Sequence, residues 1–187
     1  MPSPQKLLQV VRVFLDHPTS AHEAEFLAAA IRSDKLHQPW VFPPRTHEQY
    51  AEYLERIRNG RTIPSLVRLK SDNLLAGVIN ISEPVMSGFQ SAYLGFYAFA
   101  GAERQGFMTE GVALALDRAF SDLGFHRLEA NIQPGNLASR ALVARLGFRK
   151  EGFSPRYLFI NGGWRDHDRW AILSEEWPAH RARLFAS

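Results

Sequence analysis

Tyr93–Gly111 reads YLGFYAFAGAERQGFMTEG, and its passage from strand to helix decides the fold. Its first half is rich in the aromatic residues that suit a pleated, half-buried strand. The pattern breaks at Ala98–Glu103 and resumes beyond Gly106 with helical spacing. A glycine at such a crossing lets backbone N–H groups approach an anion closely. The helix N-terminus adds about half a positive charge at the same spot. That combination suits a pyrophosphate.

Working outward, Gln90–Phe99 is a strand, Gly106–Leu123 a helix stopped by Gly124, and Arg127–Ile132 a second strand. Their crossover is expected to be right-handed and the strands parallel. Pro134-Gly135 turns the chain, and Asn136 caps a helix ending near Leu146-Gly147. Phe148–Arg156 and Arg165–Leu173 read as an antiparallel pair about Asn161-Gly162-Gly163.

Toward the N-terminus, Ile63–Lys70 and Leu74–Ile81 form a hairpin about Ser71-Asp72-Asn73, followed by a turn at Glu83–Gly88. Leu7–Leu15 is a strand. Ser20 and Glu23 offer a capping box for a helix from Ala21 to Arg32, and Thr46 with Gln49 offers another for a helix ending at Asn59-Gly60. Asp34–Arg45 is a Pro-rich loop holding Trp40 and Phe42, as a packing pair or a substrate wall. The tail from Glu175 is a short helix or a frayed end. The order β-α-α-β-β-β-α-β-α-β-β predicts an α/β fold, a mixed sheet with helices on both faces, in one domain spanning 1–187.

The bulk numbers agree. The 187 residues are 45% hydrophobic and 22% charged, an ordinary globular balance. The net charge is +3 and no basic run interrupts the sequence, so no nucleic-acid partner is expected. No apolar stretch approaches the ~20 residues of a membrane span. MPSPQKLLQVV, with two prolines and one lysine before a short apolar run, is unlike a signal peptide. The absence of cysteine excludes disulfides, thiolate zinc sites and a cysteine nucleophile, and fits a cytoplasmic protein. Asp166-His167-Asp168 has metal-ligand residue types, but strand alternation separates them and a solvated strand start is expected; no metal is predicted.

Three motifs line up on successive elements: Glu103-Arg104-Gln105-Gly106-Phe107-Met108-Thr109-Glu110, then Asn136-Leu137-Ala138-Ser139, then Leu146-Gly147-Phe148. Together they resemble the GNAT superfamily of acetyl-CoA-dependent N-acetyltransferases, from Val10 to Trp177. With His37-Gln38-Pro39-Trp40 and Arg140 added, the set looks most like the Rim-type ribosomal-protein acetyltransferases. The sequence departs from the family pattern at Glu103 (Gln or Arg), Arg104 (often Gly) and Met108 (Gly or Ala).

The resemblance implies a mostly antiparallel twisted sheet of about six or seven strands, with Gln90–Phe99 and Arg127–Ile132 splayed around acetyl-CoA. It implies that a backbone N–H in Phe96, Tyr97, Ala98 or Phe99 polarises the thioester carbonyl. Main-chain N–H groups from Arg104 through Gln105, Gly106, Phe107 and Met108 to Thr109 would hold the pyrophosphate. Asn131 and Asn136 would border the pantetheine arm, Ser139 would protonate the departing thiolate or serve as a second cap, and Arg140, Arg145 and Arg149 either lie on a solvated helix face, the default for each, or reach the 3′-phosphate. Where some Rim-type members carry a catalytic carboxylate this chain has Arg156, leaving Glu129, Tyr157 and Asp166 open as bases. The implied partners are acetyl-CoA and an amine acceptor, either a protein N-terminus or a small amine such as a polyamine, amino acid or aminoglycoside. The chain is expected as a monomer or homodimer. A non-catalytic acyl-CoA binder competes with this reading. A nucleotide-binding loop does not, because no Lys-Ser/Thr follows Gly106.

Overall fold

The computed structural model describes residues 11–186. Strand β1 is Val13–Asp16, and residues 7–10 of the expected longer strand lie outside the described residues. The next helix begins differently from the sequence expectation. Thr19, not Ser20, is the cap: its N–H donates to His22 Nδ1 at 3.1 Å, and a 3₁₀ turn Ser20–His22 precedes α1 (Glu23–Arg32). His22 has taken the reciprocal role assigned to Glu23, whose carboxylate is instead 2.7 Å from His47 Nδ1.

Asp34–His37 is not loop but one helical turn, α2. Ser33 makes it: its carbonyl accepts the N–H groups of Leu36 and His37, each at 2.9 Å. Its hydroxyl donates to Ala29 O at 2.6 Å and accepts from Ala100 N at 2.9 Å, tying this corner to the distant central loop. Thr46 caps α3 (His47–Arg58) as expected, accepting the Gln49 N–H at 3.3 Å.

Strands β2 (Thr62–Leu69) and β3 (Leu75–Val85) follow. β3 absorbs the start of the expected Glu83–Gly88 turn, because Glu83 adopts φ 51° and the strand continues past that irregularity to Val85. Then come β4 (Ser91–Ala98), α4 (Phe107–Ser121), β5 (Arg127–Ile132) and α5 (Leu137–Arg145). The long hairpin β6 (Arg149–Ile160) and β7 (Gly163–Leu173) precedes α6 (Trp177–Leu184), so the tail is helical.

The seven strands run β1-β2-β3-β4-β5-β7-β6 in one sheet, antiparallel throughout except for the parallel β4–β5 pair. One face of the β2–β4 half buries Leu66, Val78 and Phe99 against Phe26 of α1 and Tyr50 and Tyr53 of α3. The other buries Val67, Ile79 and Leu94 against Val112 and Leu116 of α4, and that layer continues through Leu128 to Val143 and Leu146. Each fully buried side chain of this size contributes about 1.5–3 kcal/mol through removal of apolar surface from water. The core therefore grips β4, α4 and β5 from both sides, and these three elements carry the site. No helix among the described residues is long and apolar enough to cross a membrane.

Candidate active site

β4 and β5 pair only at Ser91–Arg127, Ala92–Leu128 and Tyr93–Glu129. Beyond Tyr93 the strands separate, and Gly95–Ala98 stays paired to β3 alone. This gap leaves main-chain groups of a central strand without a strand partner. Such an opening offers hydrogen-bonding groups to an extended ligand.

The side chains of the four residues expected here do not line the gap. Phe96 and Ala98 pack toward the α4 layer. Tyr97 and Phe99 join His37 in an aromatic cluster on the opposite face, with centroid separations of 5.2 Å for His37–Tyr97 and 5.7 Å for Tyr97–Phe99. The local alternation of strand faces accounts for this, and what Phe96–Phe99 present to the gap is backbone.

The loop between β4 and α4 is set by backbone conformation. Arg104 has φ 61° and Gly106 φ 85°, both in the left-handed region that glycine enters freely and arginine enters at a cost. Among the described residues, no protein acceptor receives the N–H groups of Arg104 through Thr109, while the Glu110 N–H returns to Gly106 O at 3.1 Å. Six successive amides at the positive end of α4 are therefore left without a protein acceptor.

Two of the three departures from the family pattern, Glu103 and Met108, are accommodated by this geometry. The Glu103 carboxylate folds back to accept the Gly101 N–H at 2.6 Å. Met108 is buried, its sulfur packed over Gly77 of β3, so its side chain is part of the core. Phe107 is likewise buried, beneath the Arg12 guanidinium 4.6 Å from its ring centroid. Gln105 turns its amide back to Gly101 O at 2.7 Å.

Arg12 reaches the start of α4 with no local signal in the sequence. Its Nε donates to Glu110 Oε1 at 2.7 Å, its main-chain N–H to Glu110 Oε2 at 2.6 Å, and its Nη2 to Gln105 O at 2.7 Å. Edge strand and helix start are thus fastened together across the amide cradle.

At the next crossing Asn136 caps α5, its Oδ1 accepting the Ser139 N–H at 3.1 Å. This bond places Ser139 in the first helical turn, half-buried. Arg140 is held by its own neighbours. Its Nη1 donates to Pro134 O at 2.9 Å, and its Nε lies 3.2 Å from Asp168 Oδ2. Asp168 is buried and also meets Lys150 Nζ at 2.6 Å. Asp168 and the buried His167 are therefore not a solvated strand start, because α5 and β6 supply the cations that let the carboxylate be covered. Among the described residues no cluster of metal-ligating side chains occurs.

On the sheet face opposite α4 and α5, His37 Nε2 lies 2.8 Å from Ala98 O, which makes it the donor, and burial pushes the imidazole below its usual pKa. Its Nδ1 is buried without a partner, as are Asn131 Oδ1 and Gln133 Nε2 beside the splay. Trp40 is half-buried, and its ring covers Gly135 so closely that a β-carbon there would lie 2.9 Å from it. The segment after α2 is thereby laid over the β5–α5 turn.

The candidate bases are all engaged. Glu129 is pushed up by burial but pulled further down by bonds from Arg169 at 2.5 Å and Arg127 at 3.0 Å, so its carboxyl sits below the usual range. Asp166 accepts the Arg156 N–H at 2.7 Å. Tyr157 packs edge-on to His167, with Arg169 5.5 Å above its ring.

A splayed parallel pair, an amide-lined helix start and an Asn-capped second helix thus lie on successive elements. The acetyltransferase (GNAT) domain family matches residues 12–149. The [ribosomal protein uS5]-alanine N-acetyltransferase of Escherichia coli is 37% identical over 107 residues, 57% of this chain and 55% of that one. The chain thus spans little more than half the length of that curated relative. Among solved structures, Mycobacterium smegmatis RimJ in complex with CoA-disulfide superposes with a TM-score of 0.81 at 29% identity, covering 91% of this chain and 88% of that one. Spermidine N-acetyltransferase from Vibrio cholerae, in complex with CoA and spermine, gives 0.77 at 20% identity over 89% and 98%, a likeness of fold alone. The chain belongs to the GNAT acetyltransferase family. It is an acetyltransferase that uses acetyl-CoA and acts on an amine.

Proposed function

We propose that the acceptor is the N-terminal α-amine of a protein, a ribosomal protein in the first instance, and that residues 1–187 form one acetyltransferase domain. The observation that carries this reading is the chemistry of the face beside the splay. Glu129, Glu151 and Asp166 are each occupied by an arginine side chain or main-chain N–H. A polyamine needs free carboxylates. Among the buried groups without a protein partner are an amide oxygen and an amide nitrogen, at Asn131 and Gln133, the acceptor and donor types that pair with a peptide main chain.

When bound, acetyl-CoA supplies an acetyl group activated as a thioester. The amides of Arg104–Thr109 hold its pyrophosphate, and Asn131 and Asn136 border its arm. A main-chain N–H within Phe96–Phe99 is the donor aimed at charge developing on the carbonyl oxygen. Ser139 donates the proton that the departing sulfur takes up. An α-amine titrates near 8, so about a tenth is neutral at pH 7. No strong base is then required, in keeping with carboxylates already committed to arginines.

Mass spectrometry of the product tests the acceptor. A peptide bearing both a free N-terminus and an internal lysine is expected to gain one acetyl group, on the α-nitrogen. Acetylation of the lysine alone, or of spermidine in preference to the peptide, would overturn the reading.

A further inference from the structure

The fold leaves a cleft of about 770 Å³ where the amide cradle of α4, the end of α5 and the C-terminal helix α6 meet. Its walls carry four guanidiniums, Arg12, Arg104, Arg145 and Arg183, with His180, and a single carboxylate, Glu110. Arg12 and Glu110 satisfy each other. Among the described residues, Arg104, Arg145 and Arg183 have no carboxylate partner. Like charges gathered on one cleft repel unless an anion enters between them.

The walls differ in kind. The α4 side offers main-chain amides with Arg104, suited to a pyrophosphate. The opposite side offers only side chains: Arg145 from the last turn of α5, and His180 and Arg183 from α6. That side is built with definite geometry. Gly147, at φ 94°, lies directly beneath the His180 ring, with no space for a β-carbon. Arg183 Nη2 is 3.3 Å from His180 Nδ1, and Arg183 Nε donates to Ala179 O at 3.2 Å. Arginine can only donate, so Nδ1 is the acceptor and the ring proton sits on Nε2, available to an anion. The helix is anchored to α4 by Asp117, which accepts from Trp177 Nε1 at 2.7 Å and from Arg181 Nε at 2.7 Å.

We propose that Arg145, His180 and Arg183 form a second phosphate subsite that holds the 3′-phosphate of coenzyme A. The inference rests on the cosubstrate assignment and extends it to a helix lying beyond residues 12–149, the family's matched segment. A dianionic phosphomonoester matches two guanidinium forks and an imidazole N–H, and charge-assisted bonds of this type are the strong ones. The subsite would make α6 part of the cosubstrate site.

Calorimetric titration of CoA and of 3′-dephospho-CoA into the full chain tests this without turnover. The wild type is expected to bind CoA at least about tenfold more tightly than the dephospho form. Arg145→Ala and Arg183→Ala should each weaken CoA by about tenfold and leave dephospho-CoA within about twofold of wild type. Arg104→Ala should weaken both forms alike. Equal weakening of both ligands by Arg183→Ala, or no preference for CoA in the wild type, would overturn the subsite while leaving the cosubstrate assignment intact. Failure of the wild type to bind either form would overturn both.

Discussion

Met108 of α4 lies against the bare backbone of Gly77 in β3, so closely that a β-carbon at Gly77 would strike its sulfur and stand 2.6 Å from Tyr97 O. The residue that breaks the family pattern in the cofactor loop is thereby absorbed into the core. The start of α4 is seated by that contact. Gly77→Ala should destabilise the fold by about 1–3 kcal/mol through overpacking and should weaken acetyl-CoA binding by displacing the cradle. Met108→Ala should cost about 2–5 kcal/mol by leaving a cavity. Denaturant unfolding of the double variant is expected to show a loss smaller than the sum, because the added methyl enters the vacated space.

Arg12 and Glu110 predict a loop effect that separates from stability. Glu110 is nearly covered while Arg12 is half-exposed. Arg12→Ala should therefore cost about 1–2 kcal/mol of stability, at the low side for a charged hydrogen-bond partner. It also frees Gln105 O from its donor, so the acetyl-CoA dissociation constant should rise. Urea unfolding and calorimetry on the same variant check both; an unchanged dissociation constant would remove Arg12 from the site.

Asn136 and Ser139 are joined by one bond, yet they should respond differently. Asn136→Ala removes a helix cap and should cost about 1 kcal/mol of stability. Ser139→Ala keeps the cap acceptor. It should lower kcat by about a hundredfold, the low end for a general acid because a thiolate leaves readily, with cofactor affinity little changed. Pre-steady-state thiol release measures the step, and an unaltered rate would exclude Ser139 as the donor.

His37 predicts an acid-sensitive fold. Burial holds its folded-state pKa below the ordinary 6.5, outweighing the opposing effect of its bond to the Ala98 carbonyl. The unfolded chain then binds a proton that the folded chain refuses. This contribution is complete above pH 6.5 and is lost as pH falls below it toward the folded-state value, by at most about 1.4 kcal/mol per pH unit. His167 carries the same sign through burial, whereas His47, raised by Glu23, opposes both. Urea unfolding at pH 7.5 and 5.5 should show a smaller acid loss for His37→Gln than for wild type. Equal losses would contradict the assignment.

The elements nearest the site were legible because their signals are local. Gly106 at a helix start, Asn136 as a cap and the β4–α4–β5 order depend on residues a few positions apart. Capping at Thr19 and the helical turn after Ser33 escaped because competing side chains and main-chain groups decided them. What joins the site was not legible at all: Arg12 meets Glu110 across 98 positions, and His37 meets Ala98 across 61. Periodicity has no access to such pairs. Arg140 is a similar case, since its motif position gives no sign of its ion pair with the buried Asp168.

Acetyl transfer to a protein N-terminus at the β4–β5 splay is tested most directly by free-thiol release from acetyl-CoA with two acceptors compared side by side. One is a short peptide with a free N-terminus, the other spermidine. The peptide is expected to give the higher kcat/KM by at least about tenfold. A higher kcat/KM for spermidine, or thiol release indifferent to the peptide, would contradict the account.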